Sequence, residues 1–307
     1  MGRDVRPSPA FVYTRDMRTK PLALFLWLVA SSVSAEVFPC KLGLTVELDT
    51  TQPIQGQLLG VLVSSEAPLS TVTAGWGGHN LHFWAENETT FKALLGIDLR
   101  RKPAPNLLSI SAVRVDGKRV SCAVPFAVHK GDFIVERLDV DRKYVALSEE
   151  DLARANRESA QLRDLFATIT PEPLWTGAFQ SPVPGFKGSG NFGKRRVFNN
   201  EPRSPHSGED YPAPAGTPIL APQRGRVVLA ENHFFSGNVV VVDHGVGLYT
   251  FHGHMRSFAV KAGDLVEAGD KLGEVGATGR VTGPHLHWTV RLAKTRVNPR
   301  DLLKISR

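Results

Sequence analysis

Thiols are scarce in this 307-residue chain: only Cys40 and Cys122 occur. A framework of several disulfides is therefore excluded. In an oxidising compartment the pair is expected to form one bridge, contributing on the order of 4 kcal/mol by loop entropy, with two buried thiols as the alternative. No run of lysines or arginines accompanies the formal net charge of +7, so the sequence lacks the footprint of a nucleic-acid site. An apolar stretch long enough to span a bilayer comfortably is also missing. The most apolar segment, Pro21 to Ala30 (PLALFLWLVA), follows Met17-Arg18-Thr19-Lys20 and precedes the small residues Val33-Ser34-Ala35. That order predicts an export signal over residues 1–35, with a retained anchor as the alternative. Its removal takes away five basic and two acidic residues, so the formal charge falls from +7 to +4. Mild basicity of this size suits an anionic polymer or an envelope surface.

The full chain, at 42% hydrophobic content, is long enough for about two domains. Residues 36–135 read as short β runs: LGLTVEL (42–48), QLLGVLVSS (57–65), LHFWAE (81–86), LLSISAVRV (107–115) and RVSCAVPFAV (119–128), with Asp116-Gly117 as a hairpin turn between the last two. Their spacing predicts an immunoglobulin-like sandwich. His79 and His82 lie near Trp76 and Trp84 but have no third ligand nearby, so exposed strand histidines are the expectation.

Residues 136–173 are expected to form a helical connector. Its helix covers 148–167, with Ser148 as N-cap, acidic residues in the first turn, and Leu152, Ala155, Leu162, Leu165 and Phe166 at helical spacing. Pro171 and Pro173 end it. From residue 174 to 307 glycine and proline become dense and the strands are short: RVVLAE (226–231), NVVVVDH (238–244), GLYTFHGHM (247–255) and HLHWTVRL (285–292). This predicts a second all-β domain with long loops.

The second domain gathers the histidines. His285 and His287 are two apart, so alternation puts them on one strand face with Leu286 toward the core. The same rule pairs His252 with His254, opposite Tyr249 and Phe251. In HSGEDYPAPAGTP (206–218) a His and an Asp lie four apart, where Pro205, Gly208, Pro212 and Pro214 argue for a looped segment. Two imidazoles and a carboxylate converging on one point are the ligand set of a catalytic zinc site, which keeps its fourth position open.

HSGED, FHGHM and GPHLHW resemble the three signature segments of the lysostaphin/LytM-type zinc endopeptidases, and the similarity extends over roughly residues 186–300. The resemblance implies an antiparallel β LytM-type (duplicated hybrid motif) domain that binds Zn2+ and hydrolyses peptide cross-links of bacterial peptidoglycan through a metal-activated water. It implies that His206, Asp210 and His287 hold the zinc. It further implies that His254 and His285 are catalytic, orienting the water and stabilising the oxyanion. The expected partners are peptidoglycan stem or cross-bridge peptides, with an envelope protein as candidate partner of the N-terminal domain. The expected location is the periplasm or cell envelope.

The alternative within the fold is a catalytically silent relative that activates or scaffolds other wall hydrolases; it should lack at least one of the five positions, and none is missing. His252 is left as a rim or substrate contact. His233 and His244 are expected in turns or at the surface, Glu209 should point away from the metal, and Asn191, Arg195 and Asn199 are candidates for the groove wall. VKAGDLVEAGDKLGEVG (260–276) resembles the closing strands of lipoyl and biotinyl carrier domains, but FHGHMRS upstream offers no lysine for attachment. A purely structural zinc usually has four protein ligands, often cysteine, and no cysteine lies in this domain.

Overall fold

A computed structural model describes residues 35–138 and 147–305. Apart from Ala35, the expected export signal lies outside the described residues. Nine strands come first: β1 (Glu36–Pro39), β2 (Leu44–Leu48), β3 (Leu58–Ser65), β4 (Leu69–Trp76), β5 (His79–Leu81), β6 (Phe83–Asn87), β7 (Thr90–Gly96), β8 (Ala104–Arg114) and β9 (Arg119–Val128). They make two antiparallel sheets, ordered β1-β2-β3-β7-β6 and β5-β4-β8-β9. Alternation builds the sandwich: Leu44, Val46 and Leu48 of β2 are buried while Thr45 and Glu47 are only partly so. The inward residues of both sheets merge into one core. Gly117, at φ 83°, provides the left-handed residue of the β8–β9 hairpin turn. A disulfide joins Cys40, just after β1, to Cys122 on β9, and so fastens one sheet to the other.

Strand β10 (Val135–Leu138) and helix α1 (Glu149–Leu165) follow. The Ser148 hydroxyl accepts from the Asp151 amide at 3.1 Å, and Glu149, Glu150 and Asp151 face the positive end of the helix. Helix α1 also covers a sheet. Phe166, just past its end, stacks edge-on against Tyr249 at 5.5 Å, with Leu162 and Leu165 packed alongside.

The remaining strands are β11 (Arg195–Phe198), β12 (Glu201–Pro202), β13 (Glu209–Pro212), β14 (Pro218–Leu220), β15 (Gly225–His233), β16 (Gly237–Asp243), β17 (Leu248–Phe258), β18 (Leu265–Val266), β19 (Lys271–Val275), β20 (His285–Leu292) and β21 (Thr295–Val297), before the short helix α2 (Pro299–Leu302). Strands β13 to β21 form one antiparallel sheet whose main path runs β13-β20-β17-β16-β15-β18. Val240 and Val242 of β16 face the larger core, and Val239 and Val241 face the α1 side. Cover on both faces explains why β16 reads as an unbroken valine run rather than an alternating one.

Two seams join the sandwich to this sheet. Leu58, Trp84 and Leu94 enter the large core, with Trp84 edge-on to Trp175 at 5.4 Å. In addition β10 pairs in parallel with β11, which turns back as β12 to make a three-stranded sheet. Among the described residues no helix is long and apolar enough to cross a membrane.

Candidate metal centre

His206 lies on the loop before β13, Asp210 on β13 and His287 on β20. The pairing of β13 with β20 sets Asp210 directly opposite His287. Gly208 lets the His206 loop close onto β20: a Cβ there would stand 2.6 Å from the Trp288 carbonyl oxygen and 2.7 Å from the His287 ring. Backbone bonds hold the loop in place, from Gly193 N to the His206 carbonyl at 2.8 Å and from His206 N to the Lys194 carbonyl at 2.9 Å.

The three donor atoms form a tight triangle. His206 Nε2 is 3.0 Å from His287 Nδ1 and 3.2 Å from Asp210 Oδ1, and His287 Nδ1 is 2.7 Å from the same oxygen. His206 Nδ1–H donates to the Asn191 carbonyl at 3.0 Å, and the outer nitrogen of His287 meets Thr289 Oγ1 at 3.1 Å. With those outer contacts made, neutral imidazoles turn lone pairs toward the carboxylate. Lone pairs this close repel unless a proton or a cation lies among them, and tetrahedral zinc with ligands at 2.0–2.1 Å would space them by roughly 3.3 Å. The donor set thus fits a metal ion, and these three residues are the one such group of His, Cys, Asp or Glu among the described residues.

With a proton, rather than a cation, among these atoms, the carboxylate is held ionised. Burial alone would raise the Asp210 carboxyl, yet the imidazoles of His206 and His287 hold it far below the usual carboxylate range. Burial pushes His287 down, with Asp210 partly offsetting it. Asn191 straddles the carboxylate: its Nδ2 donates to Asp210 Oδ2 at 2.7 Å, and its Oδ1 accepts from the Asp210 amide at 3.0 Å.

Two further imidazoles adjoin the triangle. His254 lies 4.9 Å from His285 and 5.8 Å from His287, centroid to centroid. His254 Nδ1–H donates to the Thr278 carbonyl and His285 Nδ1–H to the Gly283 carbonyl, both at 2.9 Å, so each keeps Nε2 for other work. Burial, and then the neighbouring His287, push His254 down to about 3.

His252 does not share a face with His254. Its cross-strand partners are Val240 and Trp288, both in the large core, whereas Gly253 is the residue opposite His287. Simple alternation would send His254 to the core side as well. A left-handed backbone at His254 (φ 63°), at an irregularity in β17 pairing, turns its ring to the His287 side instead. His252 is fully buried, with Nδ1 donating to the Val240 carbonyl at 3.3 Å, and is therefore neither a rim nor a substrate contact. His233 and His244 are likewise buried rather than superficial; His244 donates to the Arg224 carbonyl at 2.9 Å and meets Thr250 Oγ1 at 2.8 Å. Glu209 alternates away from Asp210 and is buried against Arg300 at 2.9 Å. Of the groove candidates, only Asn191 touches the triangle; Arg195 is exposed and Asn199 sits in the β11–β12 turn. Thr278 and Gly283 act through backbone carbonyls, which carry no sequence signal. Thr289 had one, since it follows His287 by a strand period.

Residues 204–299 match the model of peptidase family M23. The chain is 41% identical over 111 residues to the peptidoglycan DD-endopeptidase ShyA of Vibrio cholerae, a match covering 36% of this chain and 26% of that protein. It is 40% identical over 94 residues to the DD-carboxypeptidase/endopeptidase Mpg of Neisseria meningitidis, covering 31% and 22%. The chain thus spans about a quarter of the length of the curated relatives it matches. A solved structure of a candidate M23 peptidase from Pseudomonas aeruginosa is similar over 82% of this chain and 95% of its own, at 31% identity and a TM-score of 0.63.

Proposed function

The chain belongs to peptidase family M23, and from that premise we propose that it is a zinc-dependent endopeptidase hydrolysing peptide cross-links of bacterial peptidoglycan. The observation that carries this reading is the single-point convergence of His206, Asp210 and His287, whose donor atoms lie within 4.8 Å of one another. Zinc held by these three would supply Lewis-acid polarisation of a substrate carbonyl and would acidify water.

The chain's own residues do the rest. Asn191 and Thr289 fix the orientation of the three ligands through their hydrogen bonds. His254, kept neutral by burial, presents Nε2 as a proton acceptor beside the centre. His285, with its side chain 20% exposed and Nε2 3.9 Å from Asp210 Oδ1, stands at the mouth, where it can pass a proton to the departing amine or donate to the developing oxyanion. Both were expected in these roles from the resemblance, and their positions beside the triangle support that assignment. Export to the periplasm or envelope, directed by residues 1–35, fits such a substrate.

The test is digestion of purified sacculi with and without chelator, with the released muropeptides identified by mass spectrometry. Cleavage that is lost with chelator and restored by zinc is expected. Release of the same products by the chelated protein would overturn the reading.

A further inference from the structure

His254 stands at φ 63°, where the register between β16 and β17 shifts between Asn238 and Val240. A non-glycine residue in that left-handed region persists only where its surroundings over-determine it. Two hydrogen bonds do so. His254 N donates to the Ser236 carbonyl at 2.8 Å, and His254 Nδ1–H donates to the Thr278 carbonyl at 2.9 Å. Thr278 is anchored within the sheet itself: its hydroxyl donates to the Met255 carbonyl at 2.7 Å and accepts from Asn238 N at 2.9 Å. Ser236 belongs to the turn of residues 234–236 between β15 and β16, and that turn is held from outside the sheet.

Helix α1 holds it. Glu158 Oε2 accepts from Phe234 N at 2.8 Å, while Glu158 Oε1 accepts from Arg154 Nε at 2.7 Å. Arg154 in turn donates to the Asn232 carbonyl at 3.1 Å and to its side-chain oxygen at 3.0 Å. From the opposite side Arg280 N donates to the Phe235 carbonyl at 2.9 Å. Three consecutive residues of the turn are thus fixed to three places: Phe234 to the helix, Phe235 to the loop between β19 and β20, and Ser236 to His254. The Glu158 side chain is only 16% exposed, so water has little room to take its place at Phe234. Leu162, Leu165 and Phe166 keep the helix on the sheet independently of this carboxylate.

We propose that Glu158 is a positioning residue for His254: it fixes the β15–β16 turn so that the Ser236 carbonyl holds the His254 amide and the ring keeps its place beside the metal triangle. This rests on the catalytic role given to His254 above. Glu158 lies outside residues 204–299, which match the family. The connector helix therefore acts on the chemistry as well as joining two domains.

The test uses the full chain with zinc added. A misplaced catalytic group lowers turnover more than binding, so Glu158→Ala should keep its zinc and lose kcat on muropeptide dimers by on the order of 10- to 100-fold. KM should stay within about twofold of the parent. Glu158→Gln keeps an oxygen for the Phe234 amide and should recover most of the loss. Hydrogen exchange read by NMR gives a measure independent of activity: in Glu158→Ala the His254 amide should exchange faster by on the order of tenfold or more, with the amides of β20 unchanged. Arg154→Ala, which removes the partner orienting the carboxylate, should move kcat and exchange the same way by less, and it decides the matter if Glu158→Ala does not fold. An unchanged kcat, a loss shared by zinc content and KM that Gln does not recover, or unchanged exchange at His254 would overturn the proposal. If the parent cuts no dimer, the hydrolase reading falls, and the exchange of His254 alone then supports or refutes the link from the helix.

Discussion

Replacing Asn191 by Ala removes two hydrogen bonds from Asp210, the 2.7 Å bond to Oδ2 and the 3.0 Å bond from the backbone amide. It leaves in place the main-chain carbonyl that accepts from His206. The oxygen that faces the imidazoles is Oδ1, so Asn191 sets the rotation of the carboxylate without touching that atom. Losing the bond to a charged carboxylate costs about 1.5–3 kcal/mol and the neutral bond about 1 kcal/mol, before solvent restores some of each. An orienting residue of this kind typically changes metal affinity by roughly 10- to 100-fold. Asn191→Ala should therefore weaken zinc binding by about that factor and lower the melting temperature of the metal-free protein by only several degrees, the protein remaining folded. Asn191→Asp should be worse, because it sets a second carboxylate beside the first. The assay is competition against a chromophoric chelator at fixed pH, with thermal melts of the metal-free variants as the folding control. A zinc Kd for Asn191→Ala within about twofold of the parent would refute the reasoning.

His206→Ala should abolish stoichiometric zinc, measured by atomic absorption, together with muropeptide release; metal retained at full occupancy counts against the triangle. His285→Ala should keep its zinc and lose most turnover, so near-normal rates in that variant remove the role given to His285. His244 and His252 are pushed down to about 4 and about 3 by burial. They bind no proton in the folded state between pH 6.5 and 4 but do so in the unfolded state, so stability falls as pH drops through that window, by about 2 kcal/mol per histidine at pH 5. His252→Met should flatten the slope of melting temperature against pH between 7 and 5, and an unchanged slope contradicts this. Cys40→Ser with Cys122→Ser opens a bridge between residues 82 apart and should lower stability by about 4 kcal/mol in chemical denaturation, whereas a loss under 1 kcal/mol would show that the bridge does little.

The all-β architecture was legible because patterning is local. The run RVSCAVPFAV is β9 residue for residue, HLHWTVRL is β20, and Ser148 caps α1 as its side-chain chemistry requires. Alternation also foretold that His285 and His287 share a face opposite Leu286. The same rule misplaced His252, because it assumes an unbroken strand and β17 departs from one at His254. Burial of His244 was illegible for another reason: its ring can enter the core because the Arg224 carbonyl receives its one N–H and the Thr250 hydroxyl meets its other nitrogen, and both partners lie elsewhere in the chain.

The parallel seam between β10 and β11 has a consequence for anyone trimming the molecule. The chain just before β11 carries Asn191, and β11 in turn leans on Val135–Leu138 from the far side of the helix. A fragment cut to residues 204–299 would retain every ligand atom yet shed the β11–β12 hairpin and the clamp on Asp210. Such a minimal cassette should still capture zinc, but loosely.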